Sequence, residues 1–251
     1  MKTNEFELLD YSFLTSNKTS TILFMDDYNK LFNYRAVMSM INELPSSSIL
    51  ETNAIDDTLL TIAEVSATLG KRCKILKQDG IKTYIFEKLK GYRNIEFVDR
   101  LYGDKYTILD IYHNPNAING YVLLGQQVRE LISDINYVVA AVDSGNTLMG
   151  LSQGVVASKI VGLALDDETI QIPKIINPRC QQYSSNFIQS YNDAADNFTW
   201  LSFGIEEIAE GWETLHNATG RRLSYVATVN LLASIEISNR EEYATILTVN
   251  C

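Results

Sequence analysis

Short apolar runs alternate with amphipathic segments through the first hundred residues of the chain, and turn-forming residues separate them. Apolar runs that are bounded by turn signals predict buried strands. Apolar side chains at helical spacing, such as Ala36, Val37, Met40 and Ile41, predict amphipathic helices. The strands are predicted at residues 21–25, 48–51, 73–76 and 95–98, and the helices at 33–44, 58–69 and 83–89. This alternation is typical of a parallel sheet that is covered by helices and joined by right-handed crossovers.

The same alternation continues towards the carboxyl end of the chain. Helices are predicted at residues 117–133, 205–215 and 226–235, and strands at 137–142, 159–164, 199–203 and 244–249. Residues 166–197 are polar and irregular. The helix at 205–215 carries Glu206, Glu207, Glu210 and Glu213 around an apolar stripe, which indicates a solvated face rather than paired catalytic carboxylates.

The chain is organised around residues 135–154, INYVVAAVDSGNTLMGLSQG. A fully buried strand is predicted there, followed by the turn-forming residues 143–146 and by a helix that begins near Thr147. Such a junction brings unpaired backbone N–H groups together with the positive end of the helix dipole, so an anion can bind there. An ordinary β-α turn is the alternative, because a loop with one glycine is a weak phosphate signal.

Composition and charge exclude several classes of function. The formal net charge is −10 and the isoelectric point is near 4.7, which argues against a nucleic-acid partner, because phosphate backbones require clustered Lys and Arg. The amino terminus has acidic residues where a signal peptide needs an apolar core, and no apolar run approaches membrane-spanning length. We therefore expect a cytoplasmic protein without a membrane partner.

The cysteine and histidine residues predict no metal site. Cys73, Cys180 and Cys251 are far apart and lack metal-ligand or disulfide spacing, so ordinary reduced thiols are expected. His113 and His216 are the only histidines, which excludes a histidine-rich metal site and leaves a Ser-His-Asp triad unsupported.

Four stretches together resemble the fold type II pyridoxal-phosphate (PLP) enzymes, the family of cysteine synthase, serine and threonine dehydratases and threonine synthase. Residues 31–41 resemble the segment that opens the first helix of that family, and residues 51–63 resemble its Ser-Gly-Asn loop and helix. Residues 114–130 resemble the segment before the phosphate loop, and 142–150, VDSGNTLMG, resemble the phosphate loop itself. The resemblance covers residues 20–165 well and implies a two-lobed, tryptophan synthase β-like fold.

The resemblance assigns the position of the Schiff-base lysine to Asn33. An amide has no nucleophilic amine, so PLP cannot be attached covalently at that residue. Lys30 lies three residues earlier, and the pair Asn29-Lys30 resembles the Asn-Lys pair of the deaminase branch of the same fold. That second alignment makes Lys30 the catalytic lysine but loses the better match at Arg35 and Ala36.

The resemblance also assigns the cofactor-binding positions. Ser144, Gly145, Asn146 and Thr147 correspond to the phosphate loop, whereas Asp57 stands where an asparagine meets the cofactor ring. Asp143 replaces the first glycine of the loop, so the carboxylates of Asp57 and Asp143 both lie near the expected position of a dianionic cofactor. Repulsion between these like charges would weaken cofactor binding by on the order of several kcal/mol. Thr228 could supply a hydroxyl to the pyridine nitrogen.

Three hypotheses about function follow. The first is a degenerate PLP-fold protein that lacks the Schiff-base lysine and acts as a non-catalytic partner or regulatory subunit. The second is a PLP-dependent amino-acid lyase or transferase, performing β-elimination or β-replacement with Lys30. The third is a small-molecule binding module that uses the cleft between the lobes without PLP, with an acidic pocket that favours an amine.

The resemblance further implies how the chain is divided and assembled. We expect a smaller α/β lobe at residues 23–112 and a larger one formed by residues 1–22 and 113–251, with a small amino-acid-like ligand between them. Because members of the family are usually dimers, a homodimer or a heteromer with an active paralogue is expected.

Overall fold

A computed structural model describes residues 5–27, 31, 33–45, 47–101, 107–142, 144–166, 193 and 195–250. Within these residues the chain forms two compact units. The large unit comprises Met1–Tyr28 and Tyr121–Cys251, and the small unit comprises Asn29–Gly120. Both are α/β units with parallel strand pairs, as the sequence pattern predicts.

The large unit contains a six-stranded sheet in the order β1-β2-β10-β7-β8-β9. Its strands are β1 (Phe6–Asp10), β2 (Thr21–Asp27), β7 (Tyr137–Ala141), β8 (Lys159–Asp166), β9 (Phe198–Gly204) and β10 (Thr245–Asn250). All neighbouring strands are parallel except β1 and β2, which are antiparallel. The expected start of the smaller lobe at residue 23 falls inside β2, and β2 is paired between β1 and β10.

The helices of this unit are α4 (Asn119–Leu131), α5 (Asn146–Val155), α6 (Ile205–Thr219) and α7 (Tyr225–Arg240). The first two residues of α4 precede Tyr121, where the second segment of the large unit begins. Apolar side chains from the strands and helices of this unit pack in one hydrophobic core, which includes Ile22, Phe24, Val139, Leu163 and Ile246. Each fully buried side chain of this size contributes about 1.5–3 kcal/mol relative to exposure.

The small unit contains a parallel four-stranded sheet in the order β5-β4-β3-β6. Its strands are β3 (Leu50–Thr52), β4 (Cys73–Leu76), β5 (Ile95–Val98) and β6 (Thr107–Ile108), and its helices are α1 (Tyr34–Asn42), α2 (Thr58–Thr68) and α3 (Thr83–Leu89). Leu50, Leu59, Ile62, Ile75 and Ile85 are fully buried. These residues form the core that the helical and strand patterns of residues 33–98 predict.

Two glycines allow α4 and α5 to pack closely. A Cβ added to Gly154 would lie 2.3 Å from the carbonyl oxygen of Val122 and 2.7 Å from Cα of Gly125. A Cβ added to Gly125 would lie 2.7 Å from the carbonyl oxygen of Leu151. Because backbone atoms cannot move aside as a flexible side chain can, both positions require glycine, and they fix α5 against α4.

Two strands were not predicted. β1 lies in the acidic amino-terminal stretch, where the polar residues Glu7 and Asp10 obscure the short apolar run, and β6 has only two residues. Most of the irregular polar region predicted at 166–197 lies outside the described residues.

Candidate functional site

In the small unit, the residue assigned to the lysine position lies beside the loop that precedes α2. Asn33 directly precedes α1 and adopts the left-handed conformation, with φ 57° and ψ 23°. Its side-chain amide donates a hydrogen bond to Oγ1 of Thr58, the first residue of α2, at 3.1 Å. Asparagine tolerates this backbone conformation better than most residues. The structure therefore joins two of the stretches that carry the family resemblance.

The two aspartates before α2 have different roles. Asp56 accepts a hydrogen bond from the backbone N–H of Thr58 at 2.9 Å, so its carboxylate caps the helix. Either aspartate could cap the helix as judged from the sequence alone, since both directly precede it. Asp57 makes no capping bond and instead accepts a hydrogen bond from the hydroxyl of Tyr84 on α3. The carboxylate aligned with the cofactor ring is thus held by a phenol that the sequence analysis did not single out.

In the large unit, the first turn of α5 has the geometry of an anion site. Gly145 precedes the helix with φ 83°, a left-handed conformation that glycine adopts without steric cost. Ser144 and Asn146 are buried, Thr147 is half-buried, and the hydroxyl of Ser144 accepts a hydrogen bond from the N–H of Asn146 at 3.4 Å. No acidic residue lies in the first turn. The amino-terminal end of a helix without an acidic first turn is a place where anions are generally stabilised.

The structure says less about the remaining predicted site residues, Thr228, Lys30 and Asp143. Thr228 is fully buried on α7, and its hydroxyl donates to the carbonyl oxygen of Ser224 at 2.9 Å, one turn earlier in the chain. Its assignment to the pyridine nitrogen stays a prediction. Lys30 and Asp143 lie outside the described residues.

A polar side chain that the sequence analysis missed lies next to the α5 junction. Asn230 of α7 is fully buried, and its carboxamide oxygen accepts a hydrogen bond from the N–H of Ala141 at 2.7 Å. Its carboxamide nitrogen donates to the carbonyl oxygen of Val249 at 2.8 Å. An asparagine between Val229 and Leu231, in the mostly apolar run VATVNLLAS, is the sequence signal that could have identified it.

Burial makes the one described cysteine unsuitable as a nucleophile. Cys73 is buried in β4, and this burial, together with the nearby Glu51, raises the pKa of its thiol to about 12. The reactive species is the thiolate, which is scarce at neutral pH when the pKa is this high. Among the residues that the structure describes, no group of three metal-ligating side chains is found, and no helix is long and apolar enough to span a membrane.

Comparison with known proteins supplies the identity of the fold. No protein-family model matches the sequence, and no curated protein matches it. The structure is similar to O-acetylserine sulfhydrylase isoform 3 from Entamoeba histolytica, with a TM-score of 0.77, 14% identity, and coverage of 98% of this chain and 84% of that chain. It is similar to the O-acetylserine-dependent cystathionine β-synthase from Helicobacter pylori, with a TM-score of 0.75, 11% identity, and coverage of 100% and 95%.

A third similar structure is a pyridoxal 5′-phosphate-dependent aspartate racemase, with a TM-score of 0.74, 12% identity, and coverage of 98% of this chain and 89% of that chain. Identities this low establish the fold alone. The chain has the fold type II architecture of the cysteine synthase-like enzymes, which confirms the fold class predicted from the four sequence stretches. Fold does not carry function with it, so the activity has to be argued from the residues.

Proposed function

We propose that this chain is a degenerate PLP-fold protein that lacks the Schiff-base lysine, binds a phosphate-bearing ligand without a covalent bond, and acts as a non-catalytic partner or regulatory subunit. The observation that supports it best is the position of Asn33. Its carboxamide is bonded to Thr58 at the start of α2, in the part of the small unit where the family resemblance expects a lysine to meet the cofactor loop.

The described residues fit the two reactive ends of PLP differently. The phosphate fits the junction before α5, where the first helical turn offers backbone N–H donors and Ser144 and Thr147 carry hydroxyls. Asp143, the acidic residue of this loop, opposes an anion there by its charge and lies outside the described residues. The aldehyde is not matched by Asn33, because a carboxamide cannot replace an amine in covalent attachment. When bound to an enzyme, PLP supplies an electron sink for carbanion chemistry. We assign no reaction step in this chain to it.

Asp57 supports a non-catalytic role as well. Its carboxylate accepts a hydrogen bond from Tyr84 and carries a negative charge where an amide is expected from the resemblance. A carboxylate held near an anionic ligand weakens binding by like-charge repulsion. A protein with this arrangement would select a ligand with fewer negative charges than PLP, or would bind PLP weakly.

The alternative is an active PLP-dependent lyase or transferase that uses Lys30. The structures reported above are of enzymes, one of them named as PLP-dependent, and this favours the alternative. Lys30 would then form the covalent bond and move the α-proton of an amino-acid substrate. The two proposals differ in whether any lysine of the chain reacts with the aldehyde.

One experiment separates them. The purified protein is incubated with PLP, its absorbance spectrum is recorded before and after borohydride reduction, and labelled peptides are mapped by mass spectrometry. The degenerate protein is expected to show no label on Lys30 in the wild type and no difference between the wild type and Lys30→Ala. A stoichiometric label on Lys30 that disappears in Lys30→Ala would overturn it and establish the displaced lysine.

The variant Asn33→Lys serves as the positive control. If residue 33 occupies the lysine position, the new amine is expected to acquire a borohydride-fixed label that maps to that residue. A folded Asn33→Lys protein that binds PLP but carries no label at residue 33 would show that the alignment at Asn33 is wrong, whatever the result for Lys30.

The partner role is proposed from the resemblance and needs its own measurement. Light scattering of the purified chain is expected to show a dimer, because the family forms dimers. A monomer that forms a stable heteromer with a lysine-bearing chain of the same fold would support the regulatory role. A monomer that remains alone in that mixture would contradict it.

A further inference from the structure

The ladder between β7 and β10 ends before either strand does. The two strands are paired at Ile246 with Tyr137, Leu247 with Val138, and Thr248 with Val139, and the hydroxyl of Thr248 donates to the carbonyl oxygen of Val139 at 2.9 Å. Beyond that pair, Asn230 of α7 stands between the strands and bonds to Ala141 and Val249. A side chain therefore replaces the backbone pairing at the carboxyl end.

The separation is confined to this one pair of strands. β7 stays paired with β8 as far as Ala141 with Leu163, and the N–H of Val142 donates to the carbonyl oxygen of Leu163 at 3.2 Å. On the other side, β10 stays paired with β2 as far as Asn250 with Asp26. The sheet is continuous on both flanks, so the opening between β7 and β10 is a local feature, and Asn230 is the side chain that bonds to both strands there.

The opening lies at the point where the strand order reverses. From β7 the chain proceeds through α5 to β8, and β9 lies beyond β8, whereas β10 pairs on the opposite side of β7. In open α/β sheets, ligands bind outside the carboxyl ends of the strands at this kind of reversal. The opening is therefore located where the fold places ligands, and it lies three residues before Ser144.

We propose that Asn230 is a positioning residue for ligand binding: its carboxamide holds β7 and β10 apart at their carboxyl ends and so sets the position of Ser144 and Gly145 before α5. The inference rests on the proposed phosphate site at the first turn of α5. Asn230 does not touch the ligand in this proposal. It acts through Ala141, which it fixes at the end of β7.

Asparagine suits this role because one small group both accepts and donates. The oxygen pairs with an N–H on β7 and the nitrogen with a carbonyl oxygen on β10. Leucine has nearly the same shape but would leave two buried backbone groups unpaired. The strands would then move to pair with each other directly, which closes the opening and turns the loop.

The test compares Asn230→Leu with Ser238→Ala. Ser238 lies on the same helix, is fully buried, and donates to Oγ1 of Thr15 at 3.0 Å, so its loss destabilises α7 away from the opening. Inorganic phosphate binding is measured by calorimetry at a temperature at which every variant is folded, and amide hydrogen exchange is measured for residues 141–148. We expect about tenfold weaker phosphate binding and faster exchange in Asn230→Leu, and neither change in Ser238→Ala.

Asn230→Asp provides a second route, because it keeps the oxygen that accepts from Ala141 and the volume of the residue but removes the donor to Val249. It is expected to weaken phosphate binding as well, and it carries the test if Asn230→Leu does not fold. Exchange and phosphate affinity that remain at wild-type values in the folded Asn230→Leu or Asn230→Asp protein would overturn the role of Asn230. Absence of phosphate binding by the wild type would instead overturn the proposed function, whereas the exchange measurement would still report on the opening.

Discussion

The two units of the chain build their candidate sites from different materials. The large unit offers backbone N–H groups at the first turn of α5, and the small unit offers the side chains of Asn33, Asp57 and Tyr84. A site that is formed by backbone N–H groups keeps its chemistry when side chains change, as long as the fold is kept. A site made of side chains changes chemistry with each substitution. In the alignment that the resemblance implies, two of the three departures from the PLP family, Asn33 and Asp57, are side chains of the small unit.

Charge separates the units as well. Residues 29–120 contain twelve Lys and Arg and eleven Asp and Glu, whereas the rest of the chain contains nine and twenty. The large unit therefore carries almost all of the net negative charge, yet it also contains the predicted anion site. Phosphate binding at the first turn of α5 is opposed by the net negative charge of the large unit. Phosphate affinity is therefore expected to rise as added salt screens this charge, until the anion of the salt competes with phosphate for the site.

The largest expected effect concerns Cys73, which reports opening of the small unit by itself. Burial raises the pKa of this thiol from 9.0 to about 12, so the folded thiol is expected to react with iodoacetamide about a thousandfold more slowly at pH 8 than in the unfolded protein. Labelling is followed by peptide mass mapping, which distinguishes Cys73 from Cys180 and Cys251. Equal rates at Cys73 in native and denatured protein would contradict its burial.

The same shift predicts a dependence of stability on pH. Because the folded pKa lies above the unfolded one, the stabilisation is fully present below about pH 9 and is lost as pH rises towards about 12. Urea unfolding across this range is expected to show a steeper loss of stability in the wild type than in Cys73→Ala. Parallel curves would show that the thiol does not contribute.

The next largest effect is a loss of stability in the large unit. Gly154→Ala is expected to lower the free energy of unfolding by about 2–4 kcal/mol, because the new Cβ would collide with the backbone of α4. Gly204→Ala is the matched control, since nothing lies within 4 Å of its added Cβ. Urea denaturation measures both. If the two variants lose the same stability, the close packing of α4 and α5 is not what positions α5.

A charge change at α5 sharpens the comparison of the two sites. Thr147→Glu places a carboxylate in the first turn of the helix and is expected to weaken phosphate binding about tenfold or more. Gln153→Glu adds the same charge at an exposed position in the last turn of the same helix and is expected to leave the affinity almost unchanged. Calorimetry measures the affinity of both variants for inorganic phosphate. Equal losses of affinity would indicate an effect of net charge instead of a local site.

The smallest effect concerns the small unit. Tyr84→Phe removes the hydroxyl that donates to Asp57, and we expect a loss of about 0.5–1 kcal/mol because the side chains are partly exposed to solvent. Tyr92→Phe is the control, since its hydroxyl donates to Glu64 at 2.8 Å, away from the loop before α2. If Asp57 repels anions, Tyr84→Phe is also expected to weaken PLP binding, and Tyr92→Phe is not.

Much of the framework could be predicted because it depends on local patterns. The periodicity of Ala36, Val37, Met40 and Ile41 predicted α1, and the run from 137 to 142 predicted β7 within one residue of its observed end. The junction before α5 was predicted for the same reason, since a buried strand followed by Ser144 and Gly145 is a local signal.

Contacts between distant residues could not be predicted. Asn33 and Thr58 are 25 residues apart, and Ala141 and Asn230 are 89 residues apart. The local pattern draws attention to an asparagine in the helix α7, but it does not indicate that Asn230 bonds to Ala141 and Val249, or that Tyr84 of α3 bonds to Asp57. Thr228 was singled out from the same helix by resemblance, whereas the buried carboxamide two residues later was not.

The sequence by itself determined that this chain is an α/β protein and that residue 33 has no amine, because periodicity and side-chain chemistry are properties of each segment alone. The PLP fold was implied by the resemblance of four stretches to that family. Only the tertiary structure decided the order of the strands, the separation of β7 from β10, and the hydrogen-bond partners of Asp56, Asp57 and Asn230. The physical reason is that buried polar groups must find partners, and the chain supplies those partners from segments that only folding brings together.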